Sequence, residues 1–142
     1  YQKLIKDFAR KVEENIASKK TLAKTTEALR VVYYDIAGRI LEEKRQVIPC
    51  YAGVSNVHIN YDGGVWPCCV LGYDQEMGNL RDYGYDFQAL WHSPKAKEVR
   101  KHIRNKNCAC PLANQGYSNI LMHFPSLFKA GIKTIKYSAR KK

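Results

Sequence analysis

All five cysteines of this chain fall between residues 50 and 110, in three groups: Cys50 alone, the pair Cys68-Cys69, and Cys108-Ala109-Cys110. The segments on either side contain none. The cysteine-bearing stretch is rich in glycine and turn residues, and so short a region cannot rely on a large apolar core. Three separated thiol-bearing segments can instead be stapled through a shared metal or cluster. Five is an odd number, and the N-terminus lacks the basic-then-apolar layout of a secretory leader. A disulfide framework therefore explains these cysteines less well than ligation in a reducing compartment, and the expected location is the cytoplasm.

With 142 residues, the chain has room for one ordinary domain or for a helical segment joined to a small stapled module. A shift in composition favours the second. The first 49 residues are rich in Ala, Lys and Glu, whereas residues 50–116 hold both tryptophans and every cysteine. The expected organisation is α+β: a helical segment over 1–49, a module of a small β-hairpin plus helices around a cysteine-held centre over 50–116, and a C-terminal helix with a basic tail over 117–142. No apolar run is long enough to cross a bilayer. The sequence opens on Tyr1, and the expectation is a piece of a longer protein.

The net charge of +11 is uneven. Residues 1–49 carry eleven basic and seven acidic side chains, 50–110 carry seven and six, and 111–142 carry six and none. The basic end could touch nucleic acid or an anionic surface. No nucleic-acid motif accompanies the charge, so a solvated terminus is the simpler reading, and the last ten residues or so are expected to be weakly structured.

Leu4, Phe8, Val12 and Ile16 recur at four-residue steps and predict a helix to about residue 18. A second helix is predicted from Thr21 to Arg45, with Leu22, Leu29, Tyr33, Ile36 and Ile40 on one face. Gly38 weakens it by about 1 kcal/mol, too little to end it. The two helices have either the cysteine module or a domain outside this chain to pack on. After Pro49, alternation from Val57 to Ile59, the turn Tyr61-Asp62-Gly63-Gly64 and the return Val65-Trp66 predict a hairpin with Cys50 and Cys68 at its feet. Gly78-Asn79 reads as a turn. Phe87, Leu90 and Trp91 suggest a short helix, and Ser93-Pro94 caps another over about 94–105 that returns the chain to Cys108 and Cys110. Lys95, Lys97, Arg100, Lys101 and Arg104 decorate that helix. A segment from Tyr117 to Phe128, interrupted by Pro125, is expected to pack on the module.

Four thiolates suit either a 4Fe–4S cluster or a structural zinc, and cysteine number alone does not separate them. The landmarks around them do more. Cys50-Tyr-Ala-Gly53, Asp62-Gly63-Gly64-Val-Trp-Pro-Cys68, Gly78-Asn79-Leu80, Leu90-Trp91-His-Ser93 and Cys108-Ala-Cys110 together resemble the auxiliary-cluster domain at the C-terminus of radical S-adenosylmethionine enzymes, called SPASM in its longer form and twitch in its shorter one. The resemblance spans residues 47–116, and its most specific element is Gly64, four residues ahead of Cys68. It implies a hairpin and helix around one 4Fe–4S cluster, with Cys50, Cys68, Cys108 and Cys110 as ligands. Cys69 is an extra, either a small buried hydrophobe or a substitute ligand.

The sequence departs from the longer form of that family. No cysteine follows Cys110, so a one-cluster, twitch-like version is implied, and the close pair is Cys-x-Cys rather than the commoner Cys-x-x-Cys. Three or four protein ligands both remain open. The Cys-x-x-x-Cys-x-x-Cys spacing that starts radical chemistry is missing. S-adenosylmethionine and a second 4Fe–4S cluster would then belong to a barrel in the same or another chain, acting on a peptide or small-molecule substrate as an oxidoreductase or maturase. This chain is not expected to be catalytic alone, and no catalytic residue stands out. His58, His92, His102 and His123 sit at no ligand spacing with a cysteine. Trp66 and Trp91 read as core. The rival reading is a zinc-stapled basic module that contacts nucleic acid.

Overall fold

The computed structural model describes residues 2–139. They divide into two compact units, Pro49–Ala109 and a second built from residues up to Ile48 together with those from Cys110 onward. The architecture is α+β, and its only sheet among the described residues lies in Pro49–Ala109. No helix in the described residues is long and apolar enough to cross a membrane.

The helical unit is assembled around α2 (Thr21–Glu43), which packs on α1 (Gln2–Asn15), α5 (Ala113–Met122) and α6 (Phe124–Ala139). Val12 is buried on α1, and Ile16 is fully buried in the 3-10 turn that follows it. The stripe read from the sequence is only partly covered, since Leu4 stays exposed. On α2 the buried set is broader than one face: Ala28, Val31, Val32, Tyr33, Ile36 and Ala37 are all buried. A helix with neighbours on more than one side needs more than one apolar stripe. Leu22, assigned to the buried face, is in fact 84 % exposed, because it sits in the first turn of α2.

Gly38 is a packing position. A Cβ there would lie 3.1 Å from Ile5 Cδ1, and Gln2 Nε2 donates to the Gly38 carbonyl at 2.9 Å. α1 thus crosses closely over α2 where the side chain is missing. At the far end, α2 stops at Lys44, whose φ of 50° is left-handed. A side chain with a Cβ is strained there, and Lys44 is exposed. Lys44→Gly should therefore raise stability by about 0.5–1 kcal/mol, read from denaturant unfolding followed by far-UV circular dichroism.

The break between the last two helices falls at His123, with Pro125 in the first turn of α6, and α5 and α6 both pack on α2. Tyr33 shows how: its ring lies 5.1 Å from that of Tyr117, and a Cβ on Gly116 would come within 2.8 Å of it. The expected weak structure at the C-terminus is corrected in part. α6 continues as a regular helix through Ala139, with Ala130 and Tyr137 buried against the unit, while Arg140, Lys141 and Lys142 lie outside the described residues.

The module Pro49–Ala109 carries a three-stranded antiparallel sheet in the order β1 (His58–Ile59), β2 (Gly64–Trp66), β3 (Gly78–Asn79). The hairpin is present, in the register His58 opposite Trp66 and Ile59 opposite Val65. Gly78-Asn79 forms the third strand rather than a turn, pairing with Val65 and Gly64. Gly78 has φ 141°, extended in length but closed to residues with a Cβ, so a turn-type dipeptide serves here as sheet. A 3-10 turn (Leu80–Tyr83), α3 (Phe87–Trp91) and α4 (Pro94–Arg104) follow. Asp86 accepts from the Ala89 amide at 3.0 Å and Ser93 Oγ from the Ala96 amide at 3.1 Å, the side-chain caps that start these helices. α4 buries Ala96, Val99 and Ile103 at helical spacing onto Val65, Met77 and Leu90.

Candidate metal centre

The candidate centre begins with Asp62, Gly63 and Gly64, the turn that sets where Cys68 emerges. Gly63 has φ 91°, and its amide donates to the Asn60 carbonyl at 3.0 Å. Asp62 Oδ1 accepts from the Gly64 amide at 3.0 Å, and Asn79 Nδ2 donates to the Asp62 carbonyl at 3.2 Å. The turn and β3 are thereby tied together. At Gly64 a Cβ would lie 2.5 Å from Glu76 Oε1, so a side chain would collide with a carboxylate. Glu76 can swing aside, so the contact alone does not require glycine four residues before Cys68.

Glu76 itself is perturbed. Burial, then Asp62, then Asp82 push its carboxyl above the ordinary value. A carboxyl raised in the folded state binds its proton more readily there than in the unfolded chain. Its contribution to stability is present at acid pH and is lost as pH rises through the folded value. Glu76→Gln should make the module more stable near neutral pH and flatten its pH dependence between neutral and the carboxylate range. Unfolding midpoints of the two proteins across that range measure the difference.

The Cys50 segment is brought to the Cys68 segment by Gly53. Its φ is 71°, and its amide donates to the carbonyls of Asn56 at 3.0 Å and Pro67 at 3.1 Å. A Cβ at Gly53 would meet Pro67 Cβ, Arg100 Cγ and Met77 Sδ within 3.5 Å. Cys68 is 4 % exposed and belongs to the apolar core of the module, and Cys50 packs against that same core. Cys69 is exposed, so the reading of it as a small buried hydrophobe is corrected: the chain turns out of the core after Cys68. Cys108, half-buried, is the next-to-last residue of the module, and Cys110 begins the run into α5. In the helical unit the Tyr33 hydroxyl donates to the carbonyl of Pro111 at 2.8 Å, anchoring the residue next to Cys110.

The cysteines offer sulfur donors alone, a set that suits an iron–sulfur cluster or zinc. Among the described residues, no three His, Cys, Asp or Glu side chains come together as a site for a metal ion. The structure joins the Cys50 and Cys68 segments on one core. His58 is half-buried opposite Trp66, and His92 is exposed.

Trp66 and Trp91 are half-buried rather than core. Trp66 is covered by Tyr73, with ring centres 4.6 Å apart, and by Gly72, where a Cβ would fall 2.5 Å from the indole. Trp91 lies under Arg100: the guanidinium carbon is 4.8 Å from the ring centre, and Arg100 Nη2 donates to the Trp91 carbonyl at 2.7 Å. Sequence reasoning missed Arg100, which looked like one of five basic residues on a solvated helix. Lys95, Lys97, Lys101 and Arg104 are exposed, whereas Arg100 folds inward at the position between Val99 and Ile103. Burial, then Arg104, push it below its ordinary value, yet a guanidinium stays charged at neutral pH.

The model of the SPASM family, an iron–sulfur cluster-binding domain, matches residues 50–111. This is the family that the residue pattern resembles, over nearly the same segment. No curated protein and no solved structure matches the chain.

Proposed function

We propose that this SPASM segment holds one 4Fe–4S cluster on Cys50, Cys68, Cys108 and Cys110, and serves as the auxiliary domain of a radical S-adenosylmethionine enzyme. The family match over residues 50–111 is the observation that carries the reading. The sulfur-only donor set of the segment supports it, as does the shared core that holds the Cys50 and Cys68 segments. A cluster of this kind supplies one-electron transfer when all its irons are held by thiolates, or a binding position for substrate when one iron is left open.

The chain's own residues hold, orient and shield. Gly53 and Pro67 fix the backbones that carry the first two thiols, and Tyr33 fixes the carbonyl beside the last. Trp66 and Trp91 lay aromatic surface over the module and limit water, which tunes the potential of a bound cluster. The chemistry on S-adenosylmethionine belongs, on this reading, to a barrel in the same or another chain, acting on a peptide or small molecule. The missing Cys-x-x-x-Cys-x-x-Cys spacing supports placing it there.

The test is the iron, sulfide and zinc content of the chain purified without oxygen. About four irons and four sulfides per chain, with a broad visible absorption band, are expected for a 4Fe–4S cluster. One zinc in a colourless protein would overturn the proposal.

A further inference from the structure

Arg100 Nη1 is shut off from solvent and has no hydrogen-bond partner among the described residues. A charged donor buried without an acceptor is costly, and folded proteins rarely leave one so. The stem and Nη2 of this side chain have partners. Its stem lies against Gly53, where Met77 Sδ and Pro67 also meet, its Nη2 is bound to the Trp91 carbonyl, and its charge sits over the Trp91 ring. These contacts fix the guanidinium and leave its Nη1 without a protein acceptor. The surroundings are also particular. Gly53 is three residues from Cys50, and Pro67 immediately precedes Cys68. The stem of Arg100 therefore rests on the glycine that joins the Cys50 and Cys68 segments, and the acceptor missing at Nη1, for a cation, is best a negatively charged one.

We propose that Arg100 donates its Nη1–H to a sulfur of the bound cluster, either an inorganic sulfide or a ligand thiolate, and holds the cluster's reduction potential up. This rests on the cluster-binding reading above. Thiolate-held clusters carry net negative charge, which increases on reduction. A fixed cation with a hydrogen bond to sulfur stabilises the reduced form more than the oxidised one, so the potential rises. Arg100 is a positioning and tuning residue in this account, not a ligand. Lysine would keep the charge but not the planar fork anchored on Trp91.

The test uses the full chain, loaded with iron and sulfide without oxygen and compared with Arg100→Gln and Arg100→Lys. Cluster content is measured first, then the potential by redox titration followed by electron paramagnetic resonance. The Gln variant should keep its cluster and shift to a more negative potential, and the Lys variant should recover part of that shift. In wild-type protein labelled with nitrogen-15 arginine, the reduced cluster should show a guanidinium nitrogen hyperfine coupling that disappears in the Lys variant. Absence of that coupling in the loaded wild type overturns the proposal however the variants behave. So does a Gln variant with full cluster and unchanged potential, the result expected if a buried water satisfies Nη1. A wild-type chain that takes up no cluster at all would sink the functional reading itself, a failure distinct from either of these.

Discussion

Cys68→Ser is expected to cut the iron and sulfide bound per chain more than about tenfold, whereas Cys69→Ser leaves both unchanged. Weakening the support of a metal ligand already costs about 10–100-fold in affinity, and replacing a thiolate by a hydroxyl removes the ligand itself. The two neighbours differ because the chain turns outward between them. Cys68 sits on the core with Val65 and Met77, directly after the Pro67 carbonyl that Gly53 holds, and Cys69 is exposed. Cys50→Ser should behave like Cys68→Ser, since Cys50 packs against the same core. Iron and sulfide assays on the anaerobically loaded variants decide the matter. Loss at Cys69 with retention at Cys68 would exchange their roles, and retention in both the Cys50 and Cys68 variants would remove this pair from the site.

The parts of this fold that were legible are those set by local chemistry. Ser93-Pro94 specifies the start of α4, and Asp62-Gly63-Gly64 specifies the hairpin turn. Partners across the chain were not legible. Nothing near Tyr117 states that Gly116 must clear the Tyr33 ring, so the helices after Cys110 were assigned to the module rather than to α2. β3 was hidden because its two residues have the composition of a turn; only Val65, needing a second ladder partner, makes strand of them. The candidate site divides in the same way. Its glycines could be read as landmarks, but the reason for one of them, Pro67 beside Gly53, is a contact between distant segments. Arg100 was invisible for a related reason: one inward cation among four outward ones leaves no periodic trace.

Leu90→Ala is the second large effect expected, a loss of about 2–5 kcal/mol in the stability of the module. Leu90 is fully buried, packs with Val65, Met77 and Ile103, and lies against Gly78, where a Cβ would come within 3.5 Å of its side chain. Truncation would leave a cavity under β3, where Gly78 carries no side chain to fill it and φ 141° fixes its backbone. The module is only roughly sixty residues long. A core of that size leaves a margin of about 3–5 kcal/mol, so the variant should be largely unfolded without its cluster. Both tryptophans lie in this module, so their fluorescence during denaturation reports on it alone. If the cluster staples Cys50, Cys68 and the Cys108–Cys110 segment together, loading with iron and sulfide should restore a cooperative tryptophan transition in Leu90→Ala, because binding to the folded form alone adds its free energy to folding. A loaded variant that stays unfolded would mean that the apolar core, and not the thiolates, holds this module together.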